Sequence, residues 1–494
     1  MSNQPPPLRR SLGVLDGVAI AASSTAATTS IGIGLGVTAG VVGLHLPAIM
    51  LLAFLPVLGI AGAYARLNRV EPNAGNGYVW VGRSLSPWLG FLVGWVNIVA
   101  TVAFLAYTTA VTGSALLQLA GDAGLHRAGG LALDPGSTAQ TTAVGIVVLA
   151  AVTLTAVTGA RTAARLQTGL LVFEYAVLLA FCGYGIAVGP HPLRWEWFDP
   201  FALPSPEALA QGLLLSVFCY WGFESAFSVN EEVREPRDAA RAGFITLATM
   251  LALFLLGSIA FQRVLSEDEL VGHGAQGLAF FGDRLADRPL AVLPLVALMF
   301  SAVASLQAGV IPTARAMFAM GRDRTLGPVW SRVSPRYGTP AAGTLLIGAL
   351  AMAVAALSLV IPRLADMIMA TVNAVGIVVA LSYALTALAA AVRFRGLLRT
   401  DRRQGVRAVV LPALSAAALL GLGGYLGWSF LTSADHFALR ADNGWFLLLM
   451  PLLMIASGCV AAAWAKWGRR SPYFRTGAGT DADADAPELL TTLP

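Results

Sequence analysis

Residues Ser216–Pro236 read SVFCYWGFESAFSVNEEVREP, and the fold turns on this stretch. An apolar segment arrives, meets Gly222, carries the carboxylate of Glu224 into what should be membrane, and ends in a charged cluster. A second interrupted segment lies near the N-terminus, where Ser23–Gly36 reads SSTAATTSIGIGLG. A helix broken at membrane depth exposes backbone groups that lipid cannot satisfy. It is tolerated only where protein or a water-filled cavity covers it. Two such breaks, one in each half of a polytopic chain, point to a central substrate site between them.

The rest of the chain supports a membrane reading. Of its 494 residues 56% are hydrophobic and only 12% charged, with a mean hydropathy of +0.71. Soluble domains carry about 25% charged residues. Spans of about 20 apolar residues fall near 14–39, 45–65, 85–118, 140–159, 163–189, 208–230, 239–262, 289–319, 340–361, 364–392, 407–431 and 444–467. With the N-terminus inside, 25 of the 32 basic residues lie in cytoplasmic segments. Arg127, Arg194, Arg263, Arg284, Arg288, Arg363 and Arg440 make up the outside set. Arg315 is counted inside. Basic residues concentrate on the cytoplasmic side, so both termini are expected there, in a bacterial-type plasma (inner) membrane. The net charge of +5 is spread over short loops and implies no nucleic-acid partner. Cys182, Cys219 and Cys459 sit in apolar spans as small core residues, with no disulfide framework. No charged, apolar and cleavage-site pattern stands before the first span, so no cleaved signal is expected.

The interrupted first and sixth spans are five apart, which fits two inverted five-span repeats followed by two added helices. The expected fold is thus all-α and integral to the membrane. It has twelve transmembrane helices in a 5+5 inverted repeat of the leucine-transporter type, with helices 1 and 6 discontinuous. The expected division is a tail at 1–10, repeats at 11–195 and 196–400, helices 11 and 12 at 401–470, and an acidic low-complexity tail at 471–494. Both tails are expected to be disordered. The loops at 120–139 and 264–288 are the longest external connections and are candidates for short surface helices.

Several motifs, taken in order, resemble the amino acid–polyamine–organocation permease superfamily. Tyr220-Trp221-Gly222-Phe223-Glu224-Ser225, followed by Asn230-Glu231-Glu232-Val233-Arg234-Glu235-Pro236, is similar to its aromatic G-F-D/E stretch with a downstream E-E-x-x-x-P. Ala314-Arg315-Ala316-Met317-Phe318-Ala319-Met320-Gly321-Arg322-Asp323 resembles its R-x-x-x-A-M-G-R-D run. Pro72-Asn73-Ala74-Gly75-Asn76-Gly77-Tyr78 and Tyr337-Gly338-Thr339-Pro340 also fit. The first span departs from the family's G-x-G-I-F. Ungapped counting puts Ala27-Thr28-Thr29 there, and the glycines come later at Gly32, Gly34 and Gly36.

Each candidate residue has a functional and a plain reading. Ser24, Thr25, Ala26, Ala27, Thr28 and Thr29 would present backbone N–H groups at a half-helix N-terminus, which favours an anionic group. The plain reading is a small-residue packing face. Tyr220, Trp221, Gly222, Phe223, Glu224 and Ser225 would offer freed carbonyls to a substrate ammonium, with the aromatics as a cover; otherwise those rings are core. The resemblance favours Glu224 as a structural or gating carboxylate, with direct substrate contact ranked second. Glu174 has no charged neighbour within eight residues. A carboxylate in hydrocarbon is costly to ionise, so Glu174 is a candidate proton carrier or cation ligand; a static hydrogen-bonded role is the alternative. Relatives often place a lysine in the matching span-five position. The mixed-sign cluster from Glu231 to Arg241 reads equally as a salt-bridged inner gate or a solvated face. Trp95, Asn97, Ser301, Ser305, Gln307 and Asn373 are polar groups that either line a cavity or join helices.

No metal, cofactor or catalytic motif is present in the sequence, and the histidines lie at external loops or span ends, which argues against an enzyme. The expected function is secondary active transport of a small amino acid or related organic amine by alternating access, coupled to protons, with sodium as the other candidate co-ion. The alternatives are a polyamine or organic-cation carrier, or an exchanger without ion coupling. A channel would need a continuous polar lining, whereas polar groups here gather at two breaks.

Overall fold

The computed structural model describes residues 10, 12–128, 130–158, 160–273, 276–357, 359, 364–432 and 443–475. The expectations for most of the two tails, and for Arg363, Arg440 and His436, lie outside these residues. The principal helices in chain order are α1 (Val14–Thr25), α2 (Leu35–Val42), α3 (Leu46–Val70), α4 (Gly77–Ser84), α5 (Pro87–Asp122), α6 (Thr138–Val157), α7 (Ala160–Val188) and α8 (Pro206–Tyr220). Then come α9 (Ser225–Ser228), α10 (Pro236–Val264), α11 (Leu293–Arg322), α12 (Ala341–Leu357), α13 (Leu364–Arg393), α14 (Leu411–Thr432) and α15 (Gly444–Ala463).

Local sequence sets the helix starts. Ser86, Ser205 and Asn443 accept backbone N–H groups of Trp88, Ala208 and Trp445. Pro87 and Pro206 occupy the first helical position, where no N–H donor is needed.

Among the described residues, ten helical segments are long and apolar enough to cross a membrane. The two expected spans outside that set are the sixth and the ninth. The sixth ends after the 15 residues of α8, and the ninth is the 17-residue α12. The external loops differ from each other. Residues 264–288 hold two short helices, Glu267–His273 and Gly277–Leu285. The 120–139 loop instead forms a two-stranded hairpin, β1 (Arg127–Ala128) with β2 (Leu131–Ala132), turned by Gly130 at φ +85°. Glycine tolerates that conformation, which ends any helix there.

Two further expectations need correction. Residues 471–475 pack with the body. Pro472–Phe474 form a 3-10 turn, and the Tyr473 ring stacks on Tyr78 with centroids 5.0 Å apart. Two aromatic rings gain more from burial than from solvent. Cys459 is exposed, not a core residue. Arg315 is buried inside α11, where the Glu232 carboxylate compensates its charge; an unpaired arginine would not be tolerated there.

Candidate functional site

The first apolar segment breaks at Ala26, which adopts a left-handed conformation (φ 49°, ψ 58°) between α1 and a short turn at Ala27–Thr29. Gly32 and Gly34 fall in the wider π-turn Ser30–Gly34 that follows. The sixth segment leaves its helix at Trp221, which is extended, and Gly222 turns to φ +116° before α9 begins at Ser225.

The two breaks abut. A Cβ built on Gly222 would lie 2.6 Å from the Ser24 carbonyl carbon and 2.7 Å from Thr25 N. Ser225 Oγ donates to Ser24 Oγ at 2.9 Å. Glu224 folds back so that its Oε2 accepts the Gly222 N–H at 3.0 Å and the Tyr383 hydroxyl at 2.6 Å. Uncoiled backbone at this depth must find partners inside the protein; here the segment's own carboxylate supplies one.

Beside the breaks lies a cavity of about 80 Å³, several times the space that holds one water. Ser24, Trp221, Glu224 and Ser225 line it, as does Asn97, whose Nδ2 donates to Ser382 Oγ at 2.8 Å. Pro312 also lines it. Having no N–H, it cannot pair with the carbonyl of Ala308, another lining residue. The Trp221 ring meets Phe104 edge-on at 5.4 Å and covers one side.

The other predicted site residues take different places. Tyr220 is fully buried away from the cavity and donates to the Met50 carbonyl at 3.2 Å. Phe223 packs into an aromatic cluster with Tyr64 and Tyr383, centroids 5.8 and 5.7 Å away. Gly222 is sealed beneath the first break. Thr25 Oγ1 donates to the Ala22 carbonyl at 2.8 Å. Ala26 and Ala27 are buried. The Thr28 and Thr29 hydroxyls are buried with no hydrogen-bond partner among the described residues. The Thr29 N–H points to Ser301 Oγ at 3.4 Å.

Glu174 is set apart from the cavity, on α7, with no exposed surface. The Ser301 hydroxyl faces it, but neither carboxylate oxygen forms a hydrogen bond among the described residues. One serine thus stands between Glu174 and the amide just past the first break. Of the other polar candidates, Trp95 Nε1 donates to Ser457 Oγ at 3.0 Å and Gln307 Nε2 to Thr155 Oγ1 at 3.2 Å. Ser305 donates to the Ala302 carbonyl at 2.9 Å. These three join or brace helices and do not line the cavity. Asn373 is fully buried.

Sequence reasoning missed Tyr64, Thr101, Phe104 and Thr313 as lining residues, because each reads as an ordinary member of an apolar span. It also quoted Asn76 and Tyr78 as motif residues without assigning them to the site. Both line the cavity, Asn76 at φ 44° and Tyr78 donating to Asp323 Oδ2 at 2.8 Å. Burial pushes the Asp323 carboxyl above its ordinary value, and the Tyr78 hydrogen bond and Arg322 oppose that shift.

The charged cluster after α9 is a paired structure. Arg322 holds both oxygens of Glu231, at 2.8 and 3.1 Å, and also reaches Asn73 Oδ1 at 3.1 Å. Glu231 Oε1 accepts the Ala74 N–H at 3.0 Å. Arg315 pairs with Glu232. Leu12 bridges Val233, with its N–H on the Glu232 carbonyl at 3.0 Å. Of the two open readings the network of ion pairs is the one observed for Glu231 and Glu232; Arg234, Glu235 and Arg237 are exposed.

A family model described as amino acid permease matches residues 12–457. The chain is 27% identical over 321 residues to the methylthioribose transporter of Bacillus subtilis (strain 168), covering 63% of this chain and 67% of that protein. It is 26% identical over 334 residues to the low-affinity putrescine importer PlaP of Escherichia coli (strain K12), covering 64% and 68%. Identity to the branched-chain amino acid permease BcaP of Lactococcus lactis subsp. cremoris (strain MG1363) is 25% over 317 residues, covering 60% and 67%.

Proposed function

Because the chain belongs to the amino acid permease family, we propose that it is a secondary transporter moving a small amino acid or related organic amine by alternating access. Family and relatives make it a multi-pass membrane permease and not an enzyme. One observation carries the finer reading: two helix breaks lie back to back beside a small, mostly apolar cavity into which Ser24, Asn97, Glu224 and Ser225 bring polar groups.

On this reading a substrate carboxylate meets the N–H groups of Ala27, Thr28 and Thr29 and the Thr28 and Thr29 hydroxyls at the start of a half-helix, residues that lie behind the cavity wall until the site opens toward them. A substrate ammonium meets the carbonyls of Tyr220 and Trp221 at the uncoiled turn, and Trp221 covers it; the Gly222 carbonyl already accepts the Ser225 N–H at 3.0 Å. Glu224 holds the uncoiled turn. The modest cavity favours a small solute. The putrescine importer among the relatives keeps a diamine as the rival substrate, and Glu224 on the cavity wall suits a second ammonium.

Glu174 is the proposed proton carrier, because it is a buried carboxylate faced by one hydroxyl, that of Ser301, which also meets the Thr29 N–H just past the first break. The full proposal has twelve spans, two inverted five-helix repeats, and both termini on the cytoplasmic side of the plasma membrane. Labelling in a cysteine-free background checks the orientation: Asp268→Cys should react from outside whole cells and Arg402→Cys should not.

The deciding experiment is uptake into proteoliposomes of labelled amino acids and putrescine, with and without a pH gradient. Saturable uptake with counterflow supports a carrier. Non-saturating flux would point to a channel instead. Glu174→Gln should still exchange substrate but lose gradient-driven accumulation. Full accumulation by that variant would make Glu174 structural.

A further inference from the structure

At one end of the bundle, away from the cavity, six arginines gather in a cleft of about 900 Å³. Arg66 and Arg69 come from the last turns of α3, and Arg237 and Arg241 from the first turns of α10. Arg403 and Arg407 come from the run that leads into α14. We propose that this cleft binds the phosphate headgroup of an anionic phospholipid.

The charge balance is the first argument. Among the described residues one acid, Asp401, lines the cleft with the six cations, and a second, Asp238, sits beside it. Asp401 is engaged by the Gln404 N–H at 3.1 Å, and Asp238 lies 3.7 Å from Arg241. Arg66 donates to the Gly62 carbonyl at 3.1 Å and lies near enough to Arg407 for the two cations to repel. Like charges held together destabilise a fold unless an anion joins them. Guanidinium groups suit phosphate because they bind it through paired N–H donors.

Position is the second argument. All six lie where apolar helices begin or end, the depth of lipid headgroups. The cleft is also walled by Phe244 and Ile245, which are 39% and 46% exposed. A soluble anion gains nothing from those side chains, whereas acyl chains cover them. Basic pockets between membrane helices are known to hold such headgroups. On the orientation proposed above, the leaflet is the cytoplasmic one; the headgroup proposal itself does not depend on the transport reading.

The test is native mass spectrometry of the purified full chain from mixed phosphatidylcholine and phosphatidylglycerol, with thermal shifts in parallel. Wild type should retain phosphatidylglycerol selectively and be stabilised by it. Arg237→Gln with Arg403→Gln removes two exposed cleft charges and should weaken retention on the order of ten-fold. Arg237→Lys with Arg403→Lys should restore most of it. Arg332→Gln with Arg336→Gln, the same charge change outside the cleft, should leave it intact. Equal retention by the cleft and control variants would overturn the proposal. So would equal stabilisation by inorganic phosphate alone, which would make this a soluble-anion site. A chain that takes lipid only after residues 476–494 are removed would also overturn it, making the acidic tail the occupant. Uptake assays of the cleft variants should show a working transport site, so failure here leaves the transport proposal standing.

Discussion

The two helix breaks meet at one point but are made by different means. In the first, a single alanine turns left-handed while the hydrogen bonds around it continue. The Ala26 N–H reaches the Ala22 carbonyl at 3.1 Å, and the Ser30 N–H reaches the Ala26 carbonyl at 2.8 Å. In the second, Trp221 to Glu224 leave the helix, and Glu224 and Tyr383 take over the bonding. Ala26 carries a Cβ in a conformation that costs an L-residue about 1–2 kcal/mol. Gly222 occupies a place where any Cβ would strike backbone. A break therefore needs no glycine if its surroundings enforce it, and the glycine at the second break serves the close approach of the first.

The largest expected effect tests that approach. Gly222→Ala should lose about 3 kcal/mol or more of stability, from overpacking plus the unfavourable φ. Gly222→Val should lose more, and any folded fraction should fail to bind substrate. Thermal unfolding and ligand binding read both; a near-wild-type Gly222→Val would separate the two breaks. Next comes Tyr383→Phe, which strips the hydroxyl donor from Glu224 and should cost about 1.5–3 kcal/mol, as for hydrogen bonds to charged groups. Uptake should fall with it. An unchanged variant would mean that the Gly222 N–H alone holds the turn.

Ser225→Ala removes the side-chain hydrogen bond that joins the two breaks at Ser24. It should cost about 1 kcal/mol, seen as a lower unfolding temperature. The smallest effect has the opposite sign. Ala26→Gly relieves the left-handed strain and should be neutral or stabilising by up to about 1 kcal/mol. Clear destabilisation there would mean that the Ala26 methyl packs more strongly than its backbone is strained.

The charged cluster beyond α9 and the contacts of Tyr78 mark how far a sequence can be read. Glu231 and Arg322 were both visible as charges in motif-like runs, yet their pairing depends on α9 and the end of α11 meeting the Asn73–Ala74 turn. Tyr78 and Asp323 are 245 residues apart and bond at 2.8 Å. By composition Tyr473 belongs to a disordered tail, because the acidic run after it dominates; its ring nevertheless finds Tyr78.

What the sequence determined by itself was the membrane character, the approximate helices, both interruptions and the isolation of Glu174. Each is local: hydropathy sums over about one helix length, and a carboxylate in an apolar run is visible without knowing its neighbours. Which atoms face the cavity was decided only by the tertiary structure. Tyr220 and Trp221 are adjacent in the chain and share the same motif, but one is sealed against Met50 and the other covers the cavity. Side-chain direction depends on where the helix stops turning, and contact between the Ser24–Thr25 backbone and Gly222, nearly 200 residues later, sets that point. A periodic pattern cannot encode a contact made where the period ends.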